Sequence, residues 1–180
     1  MITGSLSRRA FTLAAGSLVA ASAARSAPGE PSAETLGVTG ANAAIHQEVV
    51  FKATPERLYH VLTDAEQFDK VVLLSGAIQA MALKAAPCRI LAEPGGAFSL
   101  FGGYITGRQL ELSPGERIVQ AWRSASWPPH IYSIVRFEFA PHPEGVKLAF
   151  DHTGFPNEEA VSLANGWREH YWGPLAKVLA

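Results

Sequence analysis

The chain has 180 residues, 15 basic against 16 acidic, a mean hydropathy of +0.09 and a single cysteine, Cys88. So even a charge balance gives no electrostatic footprint for nucleic acid or an anionic membrane surface, and one cysteine excludes an internal disulfide. Stability must come from packing, and a chain of this length can bury a substantial core as one domain.

Chain order begins with Ser7-Arg8-Arg9-Ala10-Phe11, followed by small and apolar residues to Ala24. Arg8, Arg9 and Phe11 read as a bacterial twin-arginine export signal, although Thr12 and Leu13 depart from its commonest continuation. The apolar run ends before Arg25 and falls short of the about 20 residues that span a bilayer. Ala21-Ser22-Ala23 supplies a small-x-small cleavage site. The alternative is an amphipathic or lipid-facing anchor that is retained. Cleavage after Ala23 loses Arg8 and Arg9 and no acid, which takes 15 basic residues to 13 against 16 acidic. The expected organisation is an export signal over 1–27, a flexible spacer rich in Pro, Gly and Ala over 28–44, and one domain over 45–180. The expected location is periplasmic or secreted, with no stable membrane insertion.

The domain opens with a strand over Ile45–Lys52, rich in branched residues. Thr54 then caps a helix with Pro55 in its first turn, whose apolar stripe is Leu58, Val61 and Leu62. Thr63 and Glu66 have capping-box spacing for a second short helix, with Phe68, Val71 and Val72 as its buried face. Further strands are expected over Ile78–Lys84, Ala97–Phe101, Tyr104–Leu112, Arg117–Ser124, Ser133–Ala140 and Val146–Thr153, separated by Gly- and Pro-rich breaks. Short connections predict antiparallel neighbours, hence a curved meander. The last element runs from about Asn157, its expected cap, to Leu179. Ala160, Leu163, Ala164, Trp167, Tyr171, Leu175 and Val178 form its apolar stripe, and Pro174 should bend the axis. The only surface long enough to take that stripe is the concave face of the sheet. The class is therefore α+β, with a curved antiparallel sheet wrapped around a long C-terminal helix.

Several separated motifs occur in consistent order. They are Gly95-Gly96-Ala97-Phe98-Ser99-Leu100-Phe101-Gly102-Gly103-Tyr104-Ile105-Thr106-Gly107, Leu112-x-Pro114, Ile118-Val119-Gln120-Ala121-Trp122-Arg123, Ser126-Trp127-Pro128 and Gly166-Trp167-Arg168-Glu169-His170-Tyr171-Trp172. From about Ile45 to Ala180 the chain resembles the carboxyl-terminal domain of the activator of heat-shock protein 90 ATPase. The resemblance implies the helix-grip fold of the START-like superfamily, which polyketide cyclases and lipid-transfer domains share and which often encloses a cavity. It also implies a cytosolic co-chaperone role in the eukaryotic members. Nothing here matches their other domain, which makes much of the chaperone contact, and the export signal points to a compartment without the cytosolic chaperone or ATP.

Fold alone does not fix function. The leading expectation is a module binding a small hydrophobic or amphipathic ligand between sheet and helix. On the last strand Val146, Leu148 and Phe150 alternate inward, which places His152 on the core side and Asp151 outside. His152, Tyr104, Trp122, Trp127, Tyr132 and Trp167 are the ligand-contact candidates. The plainer reading makes His152 a rim residue bonded to backbone or water and the aromatics ordinary core. Tyr104 has no settled face, because the double glycine before it can reset the strand phase. A chaperone-ATPase activator is the first alternative and a cyclase-type enzyme the second, with His152 and Tyr132 or Tyr104 as its acid–base set. No motif for a nucleophile elbow, metal pair or phosphate loop occurs, so no catalytic, metal or cofactor-binding residue is assigned. Cys88 reads as a half-buried, unreactive thiol.

Overall fold

The computed structural model describes residues 43–76 and 86–180; the expected export signal, nearly all of the expected spacer and the strand expected over Ile78–Lys84 lie outside them. The first strand, β1 (Ala44–Phe51), follows from strict alternation. Ile45, Gln47, Val49 and Phe51 are buried on one face and partnered against the last strand. Two helices come next, α1 (Pro55–Thr63) and α2 (Ala65–Leu74). Thr54 caps α1 by accepting from the Arg57 N–H, at 3.2 Å.

The cap of α2 is Asp64 and not Thr63, whose Oγ donates to the Tyr59 carbonyl at 2.8 Å inside α1. Asp64 takes the extended conformation that breaks the two helices apart, and its carboxylate accepts from the Gln67 N–H at 2.9 Å. Helix α1 simply runs one residue further than the capping-box spacing implies.

Six strands complete the sheet: β2 (Arg89–Ile90), β3 (Ala97–Leu100), β4 (Ile105–Ser113), β5 (Arg117–Ser124), β6 (Ser133–His142) and β7 (Gly145–Thr153). Among the described residues they form one seven-stranded antiparallel sheet in the order β1-β7-β6-β5-β4-β3-β2. β2 is only two residues long, too short for periodicity to reveal. Between β3 and β4 a 3-10 turn over Phe101–Gly103 carries three consecutive residues with positive φ, at 50°, 68° and 94°. Two of them are glycines, which such a backbone favours. This turn takes Phe101 out of the expected strand.

In β4 the register shifts between Gln109 and Glu111, which leaves Leu110 as the extra residue of a β-bulge, largely exposed. Without it, period two would turn Glu111 inward. With it, Leu112 meets Ile118 on the core side, and Glu111 accepts from Arg117 on the outer face. Gly107 is required where Phe98 crosses β4: a Cβ there would lie 2.1 Å from the Ala121 carbonyl oxygen and 2.3 Å from the Phe98 ring.

The terminal helix is built in pieces. A 3-10 turn (Asn157–Glu159) leads into α3 (Ala160–Gly166), a π-helical turn (Trp167–Trp172) and α4 (Gly173–Val178). No side chain caps its start; the Asn157 Oδ1 instead accepts from the Ala43 N–H at 2.9 Å and ties the helix entry to the edge strand. The π turn ends where the Gly173 N–H reaches back five residues to the Arg168 carbonyl, immediately before Pro174, which has no N–H to give. A wider turn lets Trp167, Tyr171 and Trp172 all face the sheet, whereas an α-helical stripe holds only the first two. Trp167 and Trp172 stack at 5.5 Å over Phe150 and Phe137 on the inner face. This is the helix-grip arrangement, α+β in class.

Candidate ligand-binding site

A cavity of about 460 Å³ lies between the terminal helix and one end of the sheet. Its buried walls are Trp122 and Ser124 of β5, Ile105 of β4, Trp127, Trp167 and Tyr171. Strand alternation places Ile118, Gln120, Trp122 and Ser124 inward together, so the Trp122 indole stands over the sheet. The loop after β5 folds Trp127 back onto it, ring centroids 5.4 Å apart. Arg123 fixes that loop by donating to the Trp127 carbonyl at 2.8 Å. Phe101, held by the left-handed turn, packs on Tyr171 at 5.3 Å. The exposed rim carries Tyr104, Ser126, Ser162, Asn165 and Glu169.

Four of the six candidate residues therefore wall the cavity: Tyr104, Trp122, Trp127 and Trp167. Tyr104 sits at the mouth, 47% exposed. Tyr132 does not belong with them; it precedes β6, is 55% exposed and lies off the cavity. His152 points inward as its strand phase requires, yet lies behind the cavity wall, with 0% exposure.

It is no rim residue bonded to water or backbone. The Trp167 Nε1–H donates to His152 Nδ1 at 3.0 Å. That leaves the proton on Nε2, which donates to Ser133 Oγ at 2.7 Å, and the Ser133 hydroxyl donates in turn to the Trp122 carbonyl at 3.1 Å. Each donor meets an acceptor in one direction only, which fixes the neutral tautomer. Burial pushes the His152 pKa down to about 3. Neither ring nitrogen is free to take a substrate proton, and both tyrosines of the proposed acid–base set stand apart from it. A second buried chain ties helix to sheet: the Trp172 Nε1–H donates to Gln47 Oε1, and Gln47 Nε2 donates to the Ala164 carbonyl.

Other cavity groups have no such partners. Trp122 Nε1, Trp127 Nε1 and the Tyr171 hydroxyl are shut off from solvent and make no hydrogen bond of good geometry, although the Trp122 N–H lies close enough to the Tyr171 phenol to act on its titration. Burial pushes the Tyr171 phenol well above its usual range; the neighbouring Trp122 indole opposes this only in part. Cys88 is more deeply buried than its sequence suggests, and burial together with the Asp69 carboxylate raises its thiol pKa to about 12. It stays protonated and unreactive.

Sequence reasoning missed Tyr171 and Phe101 as wall residues and Ser133 as the partner of His152. Ser133 was findable: it shares the inward face of β6 with Val135 and Phe137. Phe101 carried no such signal, because its position depends on a turn with positive φ. Among the described residues no group of three or more His, Cys, Asp or Glu side chains could hold a metal. No helix among them is long and apolar enough to cross a membrane.

Comparison with known proteins agrees with this geometry. Residues 52–180 match the family described as Activator of Hsp90 ATPase homolog 1-like protein. The mouse activator of 90 kDa heat shock protein ATPase homolog 2 is 28% identical over 144 residues, which are 80% of this chain and 40% of that protein. The human homolog 1 is 28% identical over 149 residues, 83% of this chain and again 40% of the relative. This chain thus spans well under half the length of these relatives. Among solved structures, an HSP90 activator from Plasmodium falciparum superposes with a TM-score of 0.63 at 26% identity, covering 78% of this chain and 96% of that one. A Mesorhizobium loti protein shares the fold, with a TM-score of 0.60 at 19% identity over 76% of this chain and 96% of its own. With an inward-facing terminal helix, an aromatic cavity and a family match over most of its length, the chain belongs to the Activator of Hsp90 ATPase homolog 1-like family.

Proposed function

We propose that this chain is an exported binding domain for a small hydrophobic or amphipathic molecule, held between sheet and terminal helix. The cavity carries the reading: about 460 Å³ walled by three indoles, a phenol and aliphatic carbon, with a few polar groups at its rim. Ligand pockets typically have this size and composition. A solid core would fill the same space, since interiors pack to crystal density. Thermal-shift titration with a panel of lipids and aromatic compounds tests the idea, together with native mass spectrometry of protein from its native compartment. The expected result is a retained or stabilising apolar molecule, lost in Leu163→Trp, which fills the cavity from the helix side. Bare polypeptide and no shift across the panel would sink it. Export rests on Arg8, Arg9 and Phe11; a reporter fused behind residues 1–44 should leave the cytoplasm and stay inside when both arginines are changed to lysine.

A second reading, chaperone-ATPase activation, is favoured by the names of the relatives. It predicts that the purified domain raises the ATPase rate of a 90 kDa heat-shock protein. An unchanged rate at saturating domain would remove it.

A further inference from the structure

The aromatic walls of the cavity keep their polar atoms to themselves. The Trp122 and Trp127 indole nitrogens and the Tyr171 hydroxyl are shut off from solvent, with the Trp122 N–H beside the Tyr171 phenol. The Trp167 N–H is bonded to His152 behind the wall. What these four residues present to the cavity is therefore ring carbon. The Trp122 ring lies 5.4 Å from Trp127 and 5.6 Å from Trp167, inclined to them by 60° and 40°, so the rings bound the space at several angles. An aromatic ring has a negative electrostatic face, and a cation within about 6 Å of its centroid is attracted to it.

The charges at the cavity have one sign. Half-buried Glu159, in the 3-10 turn, and exposed Glu169, on the π turn, both line it, and none of the described lining residues is Lys or Arg. Ten residues of helical rise separate them by roughly 15 Å, so one acid stands toward each end of the helix-side wall. Two arginines touch lining residues without lining the cavity: Arg123 donates to the Trp127 carbonyl and Arg168 to Asn165 Oδ1. His170, on the same wall, is held through Nδ1 by the buried Ser75 Oγ at 3.0 Å. Glutamates alone would be an ordinary solvated face; here they border a ring-lined space.

Resting on the binding reading above, we infer that the cavity takes an organic cation: a protonated or quaternary amine on an apolar body, its charged head between the rings and one of the two glutamates. A neutral body of the same shape gains the apolar burial but neither attraction. An anion meets like charge, with no cation on the wall to pair with.

The test is a matched set of benzoate esters: benzoylcholine, its carbon isostere 3,3-dimethylbutyl benzoate and the anion 3-sulfopropyl benzoate. The full chain is titrated with each by calorimetry at pH 8, which keeps imidazole charge out of the comparison. Benzoylcholine should bind at least about tenfold tighter than either of the others. Its affinity should fall about threefold or more between 0.02 and 0.5 M NaCl, which screens charge, while that of the isostere does not fall. Glu159→Gln and Glu169→Gln keep the shape and remove one charge each; at least one should weaken benzoylcholine about threefold and leave the isostere unchanged. Leu163→Trp, which fills the cavity, should abolish binding of the cation. An isostere or anion that binds as tightly as benzoylcholine, cation binding that survives Leu163→Trp, or an affinity unmoved by both glutamine variants overturns the ligand class while the binding reading stands. Silence from all three probes overturns the class as well, and the lipid and aromatic panel decides the binding reading separately.

Discussion

His152 carries a proton arrangement that neither its type nor its strand position specifies. Because Trp167 donates to one ring nitrogen and Ser133 accepts from the other, protonating the ring would set two donors against each other. Its pKa falls from an ordinary 6.5 to about 3, so below pH 6.5 the unfolded chain binds a proton that the native chain refuses. This contribution to stability is therefore complete above pH 6.5 and falls as pH drops toward 3, at up to about 1.4 kcal/mol per pH unit. A glutamine can accept from Trp167 and donate to Ser133 without titrating. His152→Gln should therefore flatten the acid limb of stability against pH, measured by urea unfolding between pH 7 and 4. An unchanged limb would show that other groups cause it. Gly107 is the second residue whose environment leaves no choice. Its Cβ space is taken by the Ala121 carbonyl, which a strand in the middle of a sheet cannot move. Gly107→Ala should cost about 3 kcal/mol in urea unfolding, within the range for overpacked cores.

At the scale of elements, the sheet was legible and the joints were not. The β5 bounds, Arg117–Ser124, follow from period two alone, as do the inward His152 and the outward Asp151. Asp151 faces His46 and Arg136 at 2.7 and 2.8 Å. Burial would raise its pKa, but the hydrogen bonds from those two neighbours outweigh it and hold the carboxyl below its usual range. Joints depend on interactions with distant segments. The Leu110 bulge, the left-handed turn at Phe101 and the π turn at Trp167–Trp172 leave no periodic trace. The π turn carries the sheet–helix tie, because it lets Trp172 reach Gln47, 125 residues earlier in the chain. Gln47→Leu keeps the volume but orphans the Trp172 N–H and removes the side-chain bond to the Ala164 carbonyl. It should lower stability by about 2–3 kcal/mol and move the Trp172 indole resonance. A loss below about 0.5 kcal/mol would mean that the rings alone hold the turn.

Across the whole molecule the two faces of the sheet divide the work. The outer face carries a ribbon of charge from His46 through Asp151, Arg136, Glu138 and Arg117 to Glu111, crossing five strands. These groups are largely solvated, and such pairs contribute little. Raising NaCl from 0.05 to 1 M screens them and should change unfolding free energy by less than about 1 kcal/mol. A larger fall would assign the ribbon a share in stability that exposed pairs rarely hold. The inner face carries the core and the cavity. The amino-acid sequence by itself determined six of the seven strands described, the amphipathic terminal helix and the family, because alternation, turn residues and ordered motifs are local properties of the chain. It also placed Trp122, Trp127 and Trp167 among the candidates. Only the tertiary structure decided that His152 is a sealed neutral link and that Tyr132 stands outside the cavity. Hydrogen-bond partners and burial are set by residues far apart in the chain, and no local pattern records which donor will find an acceptor.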